Sequence, residues 1–154
     1  MLPHKHAIVS AAIGAVAWMV SGDPIGLPVA VAAGVLPDLD HVADYMYFRR
    51  WAAHRLILPL HGYEYALLGG GVVLISGNEI AAAATLCYLI HLLADQVENR
   101  THVSGYWLIF RAWHRFRVEA ISTVPEAAMR GREEDMRRLH QWLWRLKGGS
   151  EDHG

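Results

Sequence analysis

Residues 80–94, with the sequence IAAAATLCYLIHLLA, contain no Asp, Glu, Lys or Arg and end directly before Asp95. The run is longer than most strands, which end within about 3–10 residues, and its Ala and Leu content favours a helix. Uncharged runs of similar length also occupy residues 7–22, 24–37 and 65–78. The sequence therefore predicts four apolar helices.

Short turn-forming sequences separate these runs in pairs. Ser21-Gly22-Asp23-Pro24 divides the first run from the second, and Gly77-Asn78-Glu79 divides the third from the fourth. Connections this short place consecutive helices side by side and antiparallel. We therefore expect an all-α, up-down-up-down four-helix bundle in which a polar stretch at 38–64, with a short helix at 42–51, joins two hairpins.

A different pattern follows the apolar runs. An amphipathic helix is predicted near the C-terminus, because one stripe at helical spacing is apolar and arginines lie elsewhere. The stripe comprises Met129, Met136, Leu139, Leu143 and Leu146. We expect residues 1–120 to form the four-helix unit, and residues 121–154 to add this helix and a tail to the same domain.

The composition excludes several classes of protein. The chain has 154 residues, 53% of them hydrophobic and 19% charged, which indicates one folded domain and argues against disorder. Its formal net charge of -1 gives no electrostatic case for nucleic acid, so we expect no nucleic-acid partner. Cys87 is the single cysteine, which rules out an intrachain disulfide.

The apolar runs and the basic residues together point to a membrane. A spanning helix needs about 20 apolar residues, and each run approaches this length once its polar flanks are included. The two hairpin turns contain no Lys or Arg. Under the positive-inside rule, this pattern predicts four transmembrane helices with both termini and the 38–64 connection in the cytoplasm. The alternative is a soluble four-helix bundle.

Histidine and aspartate concentrate at the ends of the predicted helices. Gly34-Val35-Leu36-Pro37-Asp38-Leu39-Asp40-His41 closes the second helix, and His91-Leu92-Leu93-Ala94-Asp95 closes the fourth with an imidazole and a carboxylate on one face. An up-down-up-down bundle brings these two ends together with the beginnings of the first and third helices. The candidates at that end are His4, His6, Asp38, Asp40, His41, His61, His91 and Asp95.

This set of side chains is typical of a metal site. Mixed imidazole and carboxylate ligands suit zinc, with manganese or iron as alternatives, and the number of candidates allows one or two ions. Metal-activated water makes hydrolysis the expected chemistry, with Asp38, Asp40 and Glu64 as catalytic candidates. Either Arg49 or Arg55 is expected to receive a phosphate group.

Simpler interpretations exist for each motif. Asp38 and Asp40 follow a proline and are also suited to satisfying backbone amides in a turn. His91 and Asp95 also fit a hydrogen-bonded pair in a core. A haem protein with facing histidines, and a structural bundle without a site, remain further alternatives.

The order of the motifs resembles the membrane-bound metal-dependent hydrolases of bacterial inner membranes. The resemblance covers residues 4–95 and consists of an early His, G-x-x-P-D-x-D-H, a His-Arg pair followed by another His, and H-x-x-x-D. More distantly, the chain is similar to zinc-dependent phospholipase C. The resemblance implies metal binding by His6, Asp38, His41, His61, His91 and Asp95.

The chain departs from that family between His54-Arg55 and His61, where Leu-Ile-Leu-Pro-Leu intervenes. His54, like His4, is therefore a weaker candidate ligand. We expect a multi-pass inner-membrane hydrolase acting at the cytoplasmic face on a small-molecule or lipid phosphoester. A non-enzymatic protein that binds or transports metal is the alternative, and the oligomeric state stays open.

Overall fold

The computed structural model describes residues 3–48 and 54–148, and within these ranges the chain is helical and forms no strand. The helices are α1 (Pro3–Ser21), α2 (Gly26–Val35), α3 (Leu39–Ala43), α4 (Tyr63–Ser76), α5 (Glu79–Glu98), α6 (Leu108–Trp113), α7 (Val118–Ile121) and α8 (Pro125–Gly148). A 3₁₀ turn at Leu36–Asp38 precedes α3, and a π-helical turn at Asp44–Phe48 follows it.

The all-helical prediction is confirmed for the described residues. The four apolar runs correspond to α1, α2, α4 and α5. The short helix expected at 42–51 is realised in part by α3 and the π-helical turn, and residues 49–51, with Arg49, lie outside the described residues.

The first hairpin turn combines a glycine and an aspartate. Gly22 has a φ of 72°, in the left-handed region that glycine tolerates best, and its N–H donates to the Trp18 carbonyl over 2.8 Å. The Asp23 carboxylate then accepts the Ile25 N–H at 2.9 Å. These contacts end α1 and direct the chain into α2.

The second hairpin turn also combines a glycine at positive φ with a polar side chain that accepts a backbone hydrogen bond. Gly77 ends α4 at a φ of 60°, and the Asn78 side chain accepts the Ala81 N–H at 2.9 Å at the start of α5. An asparagine at this position satisfies a backbone donor that the helix leaves unpaired.

Small residues allow α1, α2 and α5 to pack closely. α1 packs against α2, α5 packs against both, and α4 packs against α5. A Cβ on Gly14 would lie only 2.9 Å from the Leu27 Cα, so glycine is required where α1 meets α2. The buried core between these helices consists of Ala17, Ala30, Ala83 and Cys87.

Large apolar side chains cover much of the outer surface of these helices. On α4, Leu74 is 89% exposed and Ile75 is 91% exposed. Among the described helices, α5 alone is long and apolar enough to cross a membrane, and α4 is a shorter apolar helix. By length and composition α5 is thus one candidate for a membrane span, and the prediction of four spans is not established.

The C-terminal helix α8 is docked by a buried ion pair. Arg132 donates two hydrogen bonds to the Asp44 carboxylate, at 2.7 and 3.2 Å, and a third to the Arg55 carbonyl at 2.7 Å. The Tyr45 hydroxyl donates to the Asp135 carbonyl at 3.0 Å. Helix α8 is thus attached to the segment that follows α3.

Candidate metal centre

Six side chains from five segments meet at one end of the long helices. They form two overlapping groups in which every member offers a ligand atom within 4.8 Å of the others. One group contains His6, Asp38, His91 and Asp95, and the other contains Asp38, His41, His61 and Asp95. The structure therefore brings together the six residues for which the resemblance implies metal binding.

Asp95 lies at the centre of this cluster. Its Oδ1 is 3.0 Å from His6 Nε2, and its Oδ2 is 3.5 Å from His41 Nε2 and 3.6 Å from His61 Nε2. The Asp95 side chain is only 1% exposed. A buried carboxylate is costly unless positive charge or hydrogen bonds compensate it, so this position requires cationic neighbours.

A backbone carbonyl sets the orientation of His91. The ring Nδ1 lies 2.9 Å from the Gly34 oxygen, which only accepts, so Nδ1 carries a proton. In the neutral ring the lone pair then belongs to Nε2, which faces the cluster. Metal-binding histidines are usually held in this way by a partner on the other ring nitrogen.

Asp40 sets the orientation of His61 by the same principle. Its Oδ2 lies 3.2 Å from His61 Nδ1 and also accepts the Leu60 N–H. Asp40 is buried at 3% exposure. The Asp40 carboxylate thus contacts Nδ1 of His61, and the other ring nitrogen, Nε2, faces the cluster.

The two oriented imidazoles approach each other through the nitrogens that face the cluster. His61 Nε2 and His91 Nε2 are 3.1 Å apart. Two lone pairs at this distance repel unless a proton or a metal cation lies between them. For comparison, two imidazole nitrogens bound to one tetrahedral zinc at about 2.0–2.1 Å lie roughly 3.3 Å apart.

Asp38 contributes a buried oxygen of the kind that binds a cation. Its Oδ2 is buried and has no hydrogen-bond partner within the part of the chain that the structure describes. Burial raises the pKa of the Asp38 carboxyl, the Asp95 carboxylate raises it further, and neighbouring histidines lower it. Two carboxylates that disfavour each other's charge are stabilised by a shared cation.

The electrostatics of His61 agree with this interpretation. Burial disfavours its charged form, but hydrogen bonds to Asp40 and Asp95 outweigh burial and raise the pKa of His61. The cluster thus favours positive charge at His61. The donor set, the orphaned Asp38 oxygen and the charge balance all fit divalent metal ions.

The cluster is accessible from one side. The side chains of His6, His61, His91 and Asp95 are at most 3% exposed, whereas Asp38 is 12% exposed and His41 is 40% exposed. The cluster is therefore open to solvent on the side of His41 and Asp38.

Other sequence candidates lie elsewhere. His4 and His54 are exposed and belong to neither group, and His54 Nδ1 contacts the Met129 sulfur at 3.4 Å. Arg55 lines a separate cleft of about 320 Å³ together with His54. The cleft also contains Arg115, Arg117 and Glu119.

Both carboxylate oxygens of Glu64 accept hydrogen bonds from the backbone. Its Oε2 accepts the Leu108 N–H at 2.9 Å, and its Oε1 accepts the Ile109 N–H at 3.0 Å. The carboxylate thus satisfies two backbone donors at the start of α6 that the helix itself leaves unpaired. Glu64 thereby connects α4 to α6.

Two residues beside the cluster were not identified from the sequence. Tyr106 is 1% exposed and stacks on His61 with ring centroids 5.7 Å apart, and Arg111 is fully buried and donates to the His61 carbonyl. No spacing in the sequence relates Tyr106 or Arg111 to the ligands, because both reach His61 only through the fold.

Comparisons with protein-family models, with curated proteins and with solved structures gave no match. The resemblance to membrane-bound metal-dependent hydrolases therefore rests on the motifs alone, and hydrolase activity remains a prediction.

Proposed function

We propose that the protein is a metal-dependent hydrolase that cleaves phosphoesters at the cluster formed by His6, Asp38, His41, His61, His91 and Asp95. The observation that carries the proposal is the convergence of these side chains around the His61–His91 contact at 3.1 Å. Sequestered imidazole and carboxylate ligands with one accessible side are the arrangement of a catalytic metal site.

We further propose that the site holds two ions. The two groups of four side chains share Asp38 and Asp95, and each has two histidines of its own. This distribution suits a pair of ions that have carboxylates in common. Divalent ions held there would lower the pKa of bound water towards neutrality and neutralise charge on the phosphoryl oxygens.

The surrounding residues have positioning roles in this proposal. Asp40 fixes the ring of His61, and the Gly34 carbonyl fixes the ring of His91. Glu64 is assigned to holding α6, because both of its oxygens already accept backbone N–H groups. Asp38, the most exposed carboxylate among the ligands, faces the side from which a substrate arrives.

We also propose that the long helices are embedded in a bacterial inner membrane with the site and both termini in the cytoplasm. Exposed apolar side chains on the outer faces, such as Ile8 and Leu67, support this proposal. So does the absence of Lys and Arg from both hairpin turns.

The test is to purify the protein in detergent, measure bound metal, and assay a panel of phosphomonoesters and phosphodiesters. We expect bound zinc, manganese or iron and metal-dependent hydrolysis in the wild type. Asp38→Asn and His91→Ala should abolish hydrolysis, whereas His54→Ala, which changes an exposed histidine outside the cluster, should retain it. A protein that binds no metal after reconstitution would refute the proposal, and metal without turnover would favour the binding or transport alternative.

A further inference from the structure

A cavity of about 260 Å³ adjoins the cluster on its accessible side. His41 lines this cavity, and the same His41 ring contacts His61 edge to face with centroids 4.9 Å apart. Tyr106, which stacks on His61, forms another part of the wall. The cavity therefore borders the cluster at His41, the most exposed of its six side chains.

Asn99, Thr101 and Ser122 contribute uncharged polar groups to the wall, and much of the remainder is apolar. The apolar part is formed by Leu56, Leu58, Val118, Ile121 and Ala128. No acidic side chain is among the described residues that line the cavity. The environment thus suits an uncharged organic group and disfavours a charged one.

Arg132 does not change this conclusion although it lines the cavity. Its guanidinium donates to both oxygens of Asp44 and to the Arg55 carbonyl. The Asp44 carboxylate compensates its charge, and the three hydrogen bonds fix its position. Arg132 therefore holds α8 in place as one wall of the cavity.

The volume limits the size of the group that fits. A cavity of about 150 Å³ holds benzene, so 260 Å³ holds a phenyl-sized group with a few further atoms.

We propose that this cavity binds the organic part of the substrate, and that the substrate is a phosphoester of a compact, uncharged group. The inference rests on the proposed function, because the phosphoryl group would lie at the cluster while the organic group occupies the cavity. Ala128, Leu56 and Ile121 are then specificity-determining residues.

Phosphonates test the cavity without relying on turnover, since their phosphorus–carbon bond is not hydrolysed. Calorimetric titration of the metal-loaded protein should show phenylphosphonate binding at least tenfold more tightly than methylphosphonate, a difference of about 1.4 kcal/mol. Ala128→Trp fills the cavity and should reduce this preference to less than threefold. Ala127→Trp, which places the same side chain at an exposed neighbouring position, should retain it.

A second variant distinguishes a change in the cavity from misfolding of the Ala128→Trp protein. Leu56→Ala enlarges the cavity and should increase affinity for 1-naphthylphosphonate above that of the wild type, which a damaged fold would not do. Hydrolysis of phenyl phosphate is measured in parallel.

The outcomes separate the two proposals. Equal binding of the phenyl and methyl compounds, or an unchanged preference in Ala128→Trp, overturns the cavity assignment even where phenyl phosphate is hydrolysed. Failure of the metal-loaded protein to bind any phosphonate or to hydrolyse any phosphoester overturns the proposed function together with the inference.

Discussion

The Nδ1 atom of His91 lies 2.9 Å from the carbonyl oxygen of Gly34. The same glycine lies where α2 meets α1, because a Cβ at this position would overlap the Ser10 hydroxyl oxygen. One residue thus determines both the approach of two helices and the orientation of a proposed ligand. The packing of the helices and the geometry of the site are coupled through Gly34.

Gly34→Ala should therefore damage stability and metal binding together. Overpacking a tight interface costs about 1–3 kcal/mol, and disturbing the partner of a metal-binding histidine reduces affinity about 10–100-fold. Thermal unfolding and metal titration measure the two effects. Gly70→Ala is the matched control, because its Cβ would meet no atom within 4 Å. Normal metal affinity in Gly34→Ala would show that the carbonyl contact does not orient His91.

The contact between Asp40 and His61 leads to a second prediction. Asp40→Asn keeps the shape of the side chain but removes the charge that stabilises the proton on His61 Nδ1. We expect metal affinity to fall about 10–100-fold while the helical fold remains, as seen by circular dichroism. Asp23→Asn, in an exposed turn, should leave affinity unchanged. If Asp40→Asn binds metal like the wild type, Asp40 has no positioning role.

The main features of the site were predictable because they depend on short motifs at helix ends. His91 and Asp95 are four residues apart and share a face of α5, and Pro37 marks the end of α2 before Asp38. Antiparallel helices then bring these ends together. The convergence of the candidate ligands followed from this topology without any knowledge of side-chain contacts.

The supporting contacts were not predictable because they join residues far apart in the chain. Arg111 reaches the His61 carbonyl from α6, and Arg132 reaches Asp44 from α8. In the sequence, both arginines look like members of exposed basic segments. Only the packing of the C-terminal helices shows that Arg111 is fully buried and that Arg132 is 8% exposed.

The ion pair between Arg132 and Asp44 should be essential for docking of α8. Removing one member of a buried pair costs about 3–5 kcal/mol, because the other charge remains buried without its partner. In Arg132→Ala we expect a lower unfolding temperature and faster proteolysis within α8. Arg130→Ala, an exposed position on the same helix, is the control. Equal protease resistance in Arg132→Ala and the wild type would contradict the docking role.

The proposed membrane orientation predicts different labelling at the two ends of the bundle. In a Cys87→Ala background, Asp23→Cys should react with a membrane-impermeant maleimide added to intact spheroplasts. Glu98→Cys should react only after permeabilisation. Both positions are exposed in the folded chain, so protein packing does not protect either one. Release of the protein from membranes by alkaline carbonate would instead support the soluble bundle.

The two overlapping ligand groups predict about two bound ions per chain. His6 belongs only to the first group and His41 only to the second, so each single alanine variant should reduce the metal content to about one ion. Asp95→Asn, which changes a shared ligand, should reduce it further. His102→Ala, an exposed histidine outside both groups, should keep the full content. Metal analysis of the purified variants checks these values. Saturation of the wild type by one ion would contradict the two-ion proposal. The site would then be a single centre in which the facing nitrogens of His61 and His91 bind the same ion.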